Sequence, residues 1–232
     1  MKTIFTVCAR GGSKGVKGKN VRDMNGLPLI THTLRHARAF GGVDGFAVSS
    51  DSEAILAIAE KEGFLVVKRP DELATDTAAK IPVIRHCVES AEKALGKTFD
   101  FCIDLDCTSP LRDVSDIEAV LKLLRNPDVP NVITAMPARR SPYFNLVEKS
   151  PEGRIHLAKK LEKPVVRRQD APECFDMNAS IYGWKREVLM KENSLFLPGT
   201  ALHVMPEERS LDIDSELDFQ IVEMIMKKRM NS

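Results

Sequence analysis

The chain has 232 residues, enough for one large α/β domain with a real hydrophobic core. Its 43% hydrophobic and 29% charged residues exclude a disordered chain, and 34 basic against 33 acidic residues exclude the overall field of a nucleic-acid binder. No apolar run approaches the ~20 residues of a membrane span, and Met1 to Cys8, too short for a signal h-region, leads straight into a glycine loop; a cytoplasmic location is the expectation.

Ile4 to Cys8 is predicted as the first strand. Pro28 then opens a helix with Leu29, Leu34 and Ala37 on its apolar side. Gly45 to Ser49 reads as the second strand, and Ser50-Asp-Ser-Glu53 has capping-box spacing for a helix through Ile55, Ile58 and Ala59. Phe64 to Val67 is the third strand; after the loop Arg69 to Asp76, a long helix covers about Ala78 to Leu95. Asp100 to Leu105 is the next strand, and Ser115-Asp-Ile-Glu118 is a second capping-box match, for a helix through Leu124. Asn131 to Met136 is a further strand. This alternation predicts an α/β fold, a mostly parallel sheet with helices on both faces. Its strands end in polar or glycine-rich loops, where ligands bind in such sheets. From Pro137 to Phe175 the periodicity lapses, which reads as an insertion in a single domain 1–232, either a lid or an arm reaching a partner subunit. Regularity returns with the strand Ala179 to Trp184 and a last helix carrying Leu217, Ile221, Met224 and Ile225 at i, i+4, i+7 and i+8.

Charge is unevenly spread. Met1 to Arg22 holds six basic residues and no acidic one, whereas Glu207 to Asp218 holds six carboxylates and one Arg. A polyanion site and a metal site from opposite ends of one fold would produce that split, and so would two solvated charge runs. The basic segment is Ala9-Arg-Gly-Gly-Ser-Lys-Gly-Val-Lys-Gly-Lys-Asn20, directly after the first strand. Its glycines let amides converge on an anion while Arg10 and Lys14 supply charge, so it reads as a phosphate loop rather than a plain surface turn. It is not a P-loop, because Ser13 stands where a glycine must precede Gly18-Lys19, and Arg10 occupies the first glycine of a dinucleotide fingerprint. Asp212 and Asp214, at i and i+2 on extended chain, share a face that suits Mg²⁺ bridging phosphates, although Asp214 could equally be a helix cap. Asp106-Cys-Thr-Ser-Pro-Leu-Arg112 ends an apolar strand with hydrogen-bonding groups at Thr108, Ser109 and Arg112. Five cysteines without a CxxC point to a reducing compartment, with no disulfide framework and no zinc site.

Ala9-Arg-Gly-Gly-Ser-Lys-Gly15 with Lys19-Asn20, Arg69-Pro-Asp-Glu-Leu-Ala-Thr-Asp-Thr77, Thr108-Ser-Pro-Leu-Arg112, Asn178 with Ile181-Tyr182, and Asp212-Ile-Asp-Ser-Glu-Leu-Asp218 resemble the CMP-sialic acid synthetases, the acylneuraminate cytidylyltransferases. The resemblance implies a Rossmann-like nucleotidyltransferase fold and a homodimer whose dimerisation arm, 139–175, reaches the neighbour's site. It implies a CTP site formed by Ala9, Arg10, Ser13, Lys14 and Asn20, with Arg69 and Ala78 holding the cytidine. Asp212 and Asp214 would hold Mg²⁺, and Arg10, Lys14 and Asp214 would serve catalysis. Asp106, Thr108, Ser109 and Arg168 would hold a nine-carbon 2-keto acid sugar. The implied reaction is in-line attack of the anomeric hydroxyl on the α-phosphorus of CTP, with pyrophosphate leaving and with positioning and charge neutralisation as the protein's task. No nucleic acid or membrane partner is implied. Neighbouring readings are a 3-deoxy-manno-octulosonate cytidylyltransferase, against which the Arg-Gly-Gly-Ser-Lys loop argues, and a non-catalytic nucleotide-binding protein of this fold. The chain departs from the family's usual Gln-Pro before Thr108, carrying Asp106-Cys107, and has Asp176 where an Arg is common. The exchange of Gln for Asp replaces an amide by an acceptor-only anion. Leu-Asp-x-Thr-Ser-Pro-Leu-Arg and Arg-Arg-Ser-Pro-Tyr-Phe look like the branch that acts on legionaminic acid.

Overall fold

Ile4, Phe5 and Val7 are fully buried in β1 (Thr3–Cys8), as a strand covered on both faces requires. This computed structural model describes residues 1–13, 15–163 and 167–231. Beyond β1 the chain forms a short ribbon, β2 (Asp23–Met24) and β3 (Leu27–Pro28), and then α1 (Leu29–Phe40), β4 (Gly45–Ser50), α2 (Glu53–Lys61), β5 (Leu65–Lys68), α3 (Lys80–Leu95), β6 (Phe101–Leu105), α4 (Val114–Leu124) and β7 (Asn131–Pro137). A separate hairpin follows, β8 (Val147–Lys149) with β9 (Ile155–Leu157). The remainder is β10 (Phe175–Met177), β11 (Ile181–Lys185), α5 (Arg186–Lys191), β12 (Ala201–Val204) and α6 (Glu216–Met230).

The main sheet has the order β10-β7-β11-β6-β1-β4-β5, with β12 along the other side of β7. β6, β1, β4 and β5 are mutually parallel, β12 is parallel to β7, and β11 enters antiparallel between β6 and β7. Helices α1, α2 and α4 cover one face through Leu34, Ile55, Ile117 and Leu124. The other face is covered by α3 and α5 through Ile84, Val88 and Leu189. The chain order reverses beside β1: β4 and β5 lie on one side of it, and β6 returns to the other. The carboxyl ends of β1 and β6 therefore flank a topological switch point, the place where open α/β sheets hold ligands.

Neither predicted capping box forms. Ser50 is still strand, its hydroxyl accepting the Ser52 amide at 3.0 Å, and Ser52 takes the N-cap position of α2 without a side-chain cap bond. The box of α4 is made by Asp113 and Asp116, with the Asp113 amide 2.9 Å from the Asp116 carboxylate, rather than by Ser115 and Glu118. The last helix buries a face rotated from the one expected, with Ile225 common to both. Leu217 and Met224 are 64% and 65% exposed, whereas Phe219 and Val222 enter a small core and Ile225 and Met226 pack against it. Two apolar stripes compete on this helix, and the one continuous with Ile213 wins. The region 139–175 carries the β8–β9 hairpin, whose Val147 and Ile155 are exposed. Among the described residues no helix is long and apolar enough to cross a membrane.

Asp116 ties α4 to the segment that leads into the acidic C-terminal turn. Its carboxylate is buried and accepts Arg209 Nε and Nη2 at 2.9 Å each and His203 Nε2 at 3.1 Å. Burial alone would push its acidity down, but these donors outweigh it and hold the carboxyl below its usual range. A depressed carboxyl contributes stability above the unfolded-state range and loses it as pH falls through the folded value. Asp116→Ala should therefore destabilise the fold by about 3 kcal/mol near neutral pH. Denaturant unfolding checks this, and the gap from the parent protein should narrow on acidification.

Candidate active site

At the β1/β6 switch point lies a cavity of about 460 Å³. Ala9, Arg10, Ser13, Asn20, Arg69, Ala78, Asp106, Thr108 and Asp214 all line it. Residues from both chain ends and two intervening loops thus meet in one cleft. Lys14 and the side chain of Arg168 lie outside the described residues. Ser109 and Asp212 do not reach the wall in the same way. The Ser109 hydroxyl is fully buried and donates to the Asn178 carbonyl at 3.3 Å. Asp212 does not line the cavity, whereas Asp214 does.

The glycine loop is held at several points. The Gly11 amide donates to Asp51 at 2.8 Å, and Asn20 Nδ2 donates to the Arg10 carbonyl at 3.0 Å. Lys19 reaches across to the Ile213 carbonyl. Buried Asn20 Oδ1 has no protein partner and sits in the cavity wall. Arg10 pairs with Asp76 at 2.6 Å across the mouth, both side chains partly exposed. Such a pair contributes at most ~1 kcal/mol, so an incoming phosphate can take the guanidinium over. Arg69 is instead fixed and buried, with Nη2 on the Ser49 carbonyl at 2.8 Å and Nε on the Ser49 hydroxyl at 3.2 Å.

The floor holds a residue that carried no sequence signal. Lys80, the first residue of α3, points its ammonium at Asp106 Oδ2, 2.7 Å away, and lies 3.5 Å from Asp104 Oδ2. Its Nζ also stands 4.4 Å from the centroid of the Tyr182 ring, which stacks on Trp184. Burial acts against both charges of the pair, but mutual attraction prevails: Asp106 is held far below and Lys80 far above the ordinary range. Buried Asp104 has no such excess of partners, and burial raises it. No motif spacing connects positions 80 and 106; only the crossover of α3 to β6 brings them together. Asn178, noted earlier only within the family motif, is a positioning residue. Its amide oxygen accepts Thr134 Oγ1 at 2.7 Å, its nitrogen donates to Ser210 at 3.1 Å, and the next residue, Ala179, is held at φ 52°.

The acidic turn is placed by Ile213. This side chain is fully buried with Val16, Leu111 and Phe219, and its amide donates to the Thr108 carbonyl at 3.0 Å. Asp212 and Asp214 therefore flank one buried residue, although the segment forms no strand. Burial raises Asp212, and the nearby charges of Asp106 and Asp214 add to it. Excess negative charge on hard oxygen donors fits Mg²⁺. Among the described residues no three acidic, His or Cys groups are arranged to hold a metal ion.

Gly15 shows how closely the two ends meet, since a Cβ there would lie 1.9 Å from the Asp214 carbonyl oxygen. Gly15→Ala should separate the loop from the turn, costing about 1–3 kcal/mol of stability and most of the triphosphate affinity. Calorimetric titration against unfolding data would separate the two effects.

The model of the cytidylyltransferase family matches residues 4–200. The post-translational flagellin modification protein B of Campylobacter coli is 44% identical over 227 residues, covering 97% of this chain and 95% of that one. The CMP-N,N'-diacetyllegionaminic acid synthase of Campylobacter jejuni is 44% identical over 224 residues, covering 96% and 94%. Among solved structures, a CMP:2-keto-3-deoxy-manno-octonic acid synthetase complexed with CTP superposes with a TM-score of 0.75 at 17% identity, covering 99% of this chain and all of that one; that likeness is one of fold. A basic glycine loop and an acidic turn facing one cavity at the switch point, within a match spanning most of the sequence, place this chain in the cytidylyltransferase family.

Proposed function

We propose that this protein transfers CMP from CTP to the anomeric hydroxyl of a nonulosonic acid, of the legionaminic or sialic acid type, releasing pyrophosphate. The observation that carries the reading is the meeting of Arg10, Lys19, Arg69 and Asp214 in one cavity, in a chain 44% identical along nearly its whole length to a CMP-N,N'-diacetyllegionaminic acid synthase. Arg10 and Lys14, with the loop amides, would bind the triphosphate, with Ser13 and Asn20 beside them, while buried Arg69 and the Ala78 region hold the cytidine. Asp212 and Asp214 would hold Mg²⁺, which when bound supplies a Lewis acid at the α-phosphate. The sugar would lie over Asp106 and Thr108, with Arg168 toward its carboxylate. In-line attack then needs chiefly alignment and charge neutralisation, and the fixed loop supplies both.

The same reading takes the region 139–175 as a dimerisation arm, which would cover exposed Val147 and Ile155 in a homodimer of a cytoplasmic enzyme. Sedimentation analysis should return twice the chain mass of 25.8 kDa. A monomer would remove the arm from the account.

Mass spectrometry of products from CTP, Mg²⁺ and a panel of nonulosonic and octulosonic acids tests the central reaction. A CMP-nonulosonate should form, and chelation of Mg²⁺ should stop it. Turnover of the eight-carbon acid alone would favour the octulosonate reading, and CTP binding without product a non-catalytic one. Arg10→Ala should lower kcat/KM more than roughly tenfold, because a charge-assisted phosphate contact is worth about 1.5–3 kcal/mol; an unchanged value would take Arg10 out of the site.

A further inference from the structure

The exchange of the family's usual Gln for Asp106 raises a physical problem. A bare carboxylate in this cavity would repel both an acidic sugar and a triphosphate, and Asp104 and Asp214 are already near. Lys80 resolves it. Its ammonium lies 2.7 Å from Asp106 Oδ2 and 3.5 Å from Asp104 Oδ2, with the Tyr182 ring beneath it. The other oxygen of Asp106 is occupied as well, accepting the Thr108 amide at 3.1 Å and the Thr108 hydroxyl at 3.0 Å. Three of the roughly four lone-pair positions of the carboxylate are thus filled. One acceptor position remains on Asp106, and Lys80, a three-proton donor, keeps donor capacity beyond its bond to Asp106. Both side chains line the cavity.

We infer that Lys80 and Asp106 act as one recognition unit, a charge-cancelled donor and acceptor that reads a neutral polar substituent of the sugar, an N-acylamino group with its paired N–H and C=O. The inference rests on the proposed reaction and adds Lys80 to it as a specificity-determining residue. Because the Lys80 charge is shared between Asp106 and Asp104, it is not the partner of a phosphate or of the sugar carboxylate. The pair also cannot be taken apart one residue at a time, since removing either member leaves the other charge buried without its partner.

The test is a double-mutant cycle of Lys80→Met, Asp106→Asn and the double variant. KM values for CTP and sugar are measured separately, on sugars carrying acylamino or hydroxyl at the same carbon, alongside thermal melting. Lys80→Met should raise the sugar KM roughly tenfold or more and the CTP KM by a smaller factor, from the carboxylate it leaves bare. The double variant should lose less than the two singles combined, and its preference for acylamino over hydroxyl should fall. If Lys80→Met does not fold, the double variant, which buries no unpaired charge from this pair, decides through that preference alone. A rise in the CTP KM equal to that for sugar, or an unchanged acylamino preference in the double variant, would overturn the inference while the proposed reaction stands. If the parent protein turns over no nonulosonic acid, the proposed reaction fails first, and this inference falls with it.

Discussion

Burial of Ile213 is the constraint on which the geometry of the site depends. Fully burying an isoleucine stabilises a fold by about 1.5–3 kcal/mol, and here that burial has a second effect. Ile213 can reach its pocket among Val16, Leu111 and Phe219 only if the glycine loop, the Thr108 loop and the start of α6 close around it. Its amide goes to Thr108 and its carbonyl takes Lys19, so both neighbours are fixed in direction. Two carboxylates separated by more than 190 residues from the basic loop are thereby set against it without any covalent tie.

The site then balances opposite charges without merging them. At the mouth, Arg10 and Asp76 form an exposed pair that a ligand can displace at little cost. On the floor, Lys80 and Asp106 form an enclosed pair that no ligand can profitably break. The first suits a residue that must change partners during a reaction, and the second suits one that must keep its shape. The polar network of Asn178, Thr134 and Ser210 ties the segment before β11 to β7 and to the segment before the acidic turn.

Much of this was legible in the sequence, and the exceptions have physical causes. The strands were readable because buried parallel strands are continuous apolar runs, as Ile4 to Val7 shows. The basic loop and the Asp212–Asp214 pair were readable because their chemistry is local to a few residues. Antiparallel entry of β11 was not legible, since an apolar run does not encode its direction. The capping signals misplaced both helix starts by two residues, because Ser50 was needed by the strand before it and Asp116 had stronger partners in Arg209 and His203. The face of α6 was misread because two apolar stripes compete and only the tertiary location of Ile213 selects between them. Lys80 was invisible for a similar reason: a lysine at a helix start is unremarkable until the crossover of α3 places it beside Asp106.

The central claim is that Ile213 holds the acidic turn against the phosphate loop, and Ile213→Ala tests it most directly. Truncation should destabilise the protein by about 2–5 kcal/mol, so the comparison belongs at a temperature where unfolding data show both proteins folded. Under those conditions, calorimetric titration with Mg²⁺ and CTP should show a loss of affinity of roughly tenfold or more, although every carboxylate and basic group of the site is still present. Unchanged Mg²⁺–CTP affinity in the folded variant would contradict the account.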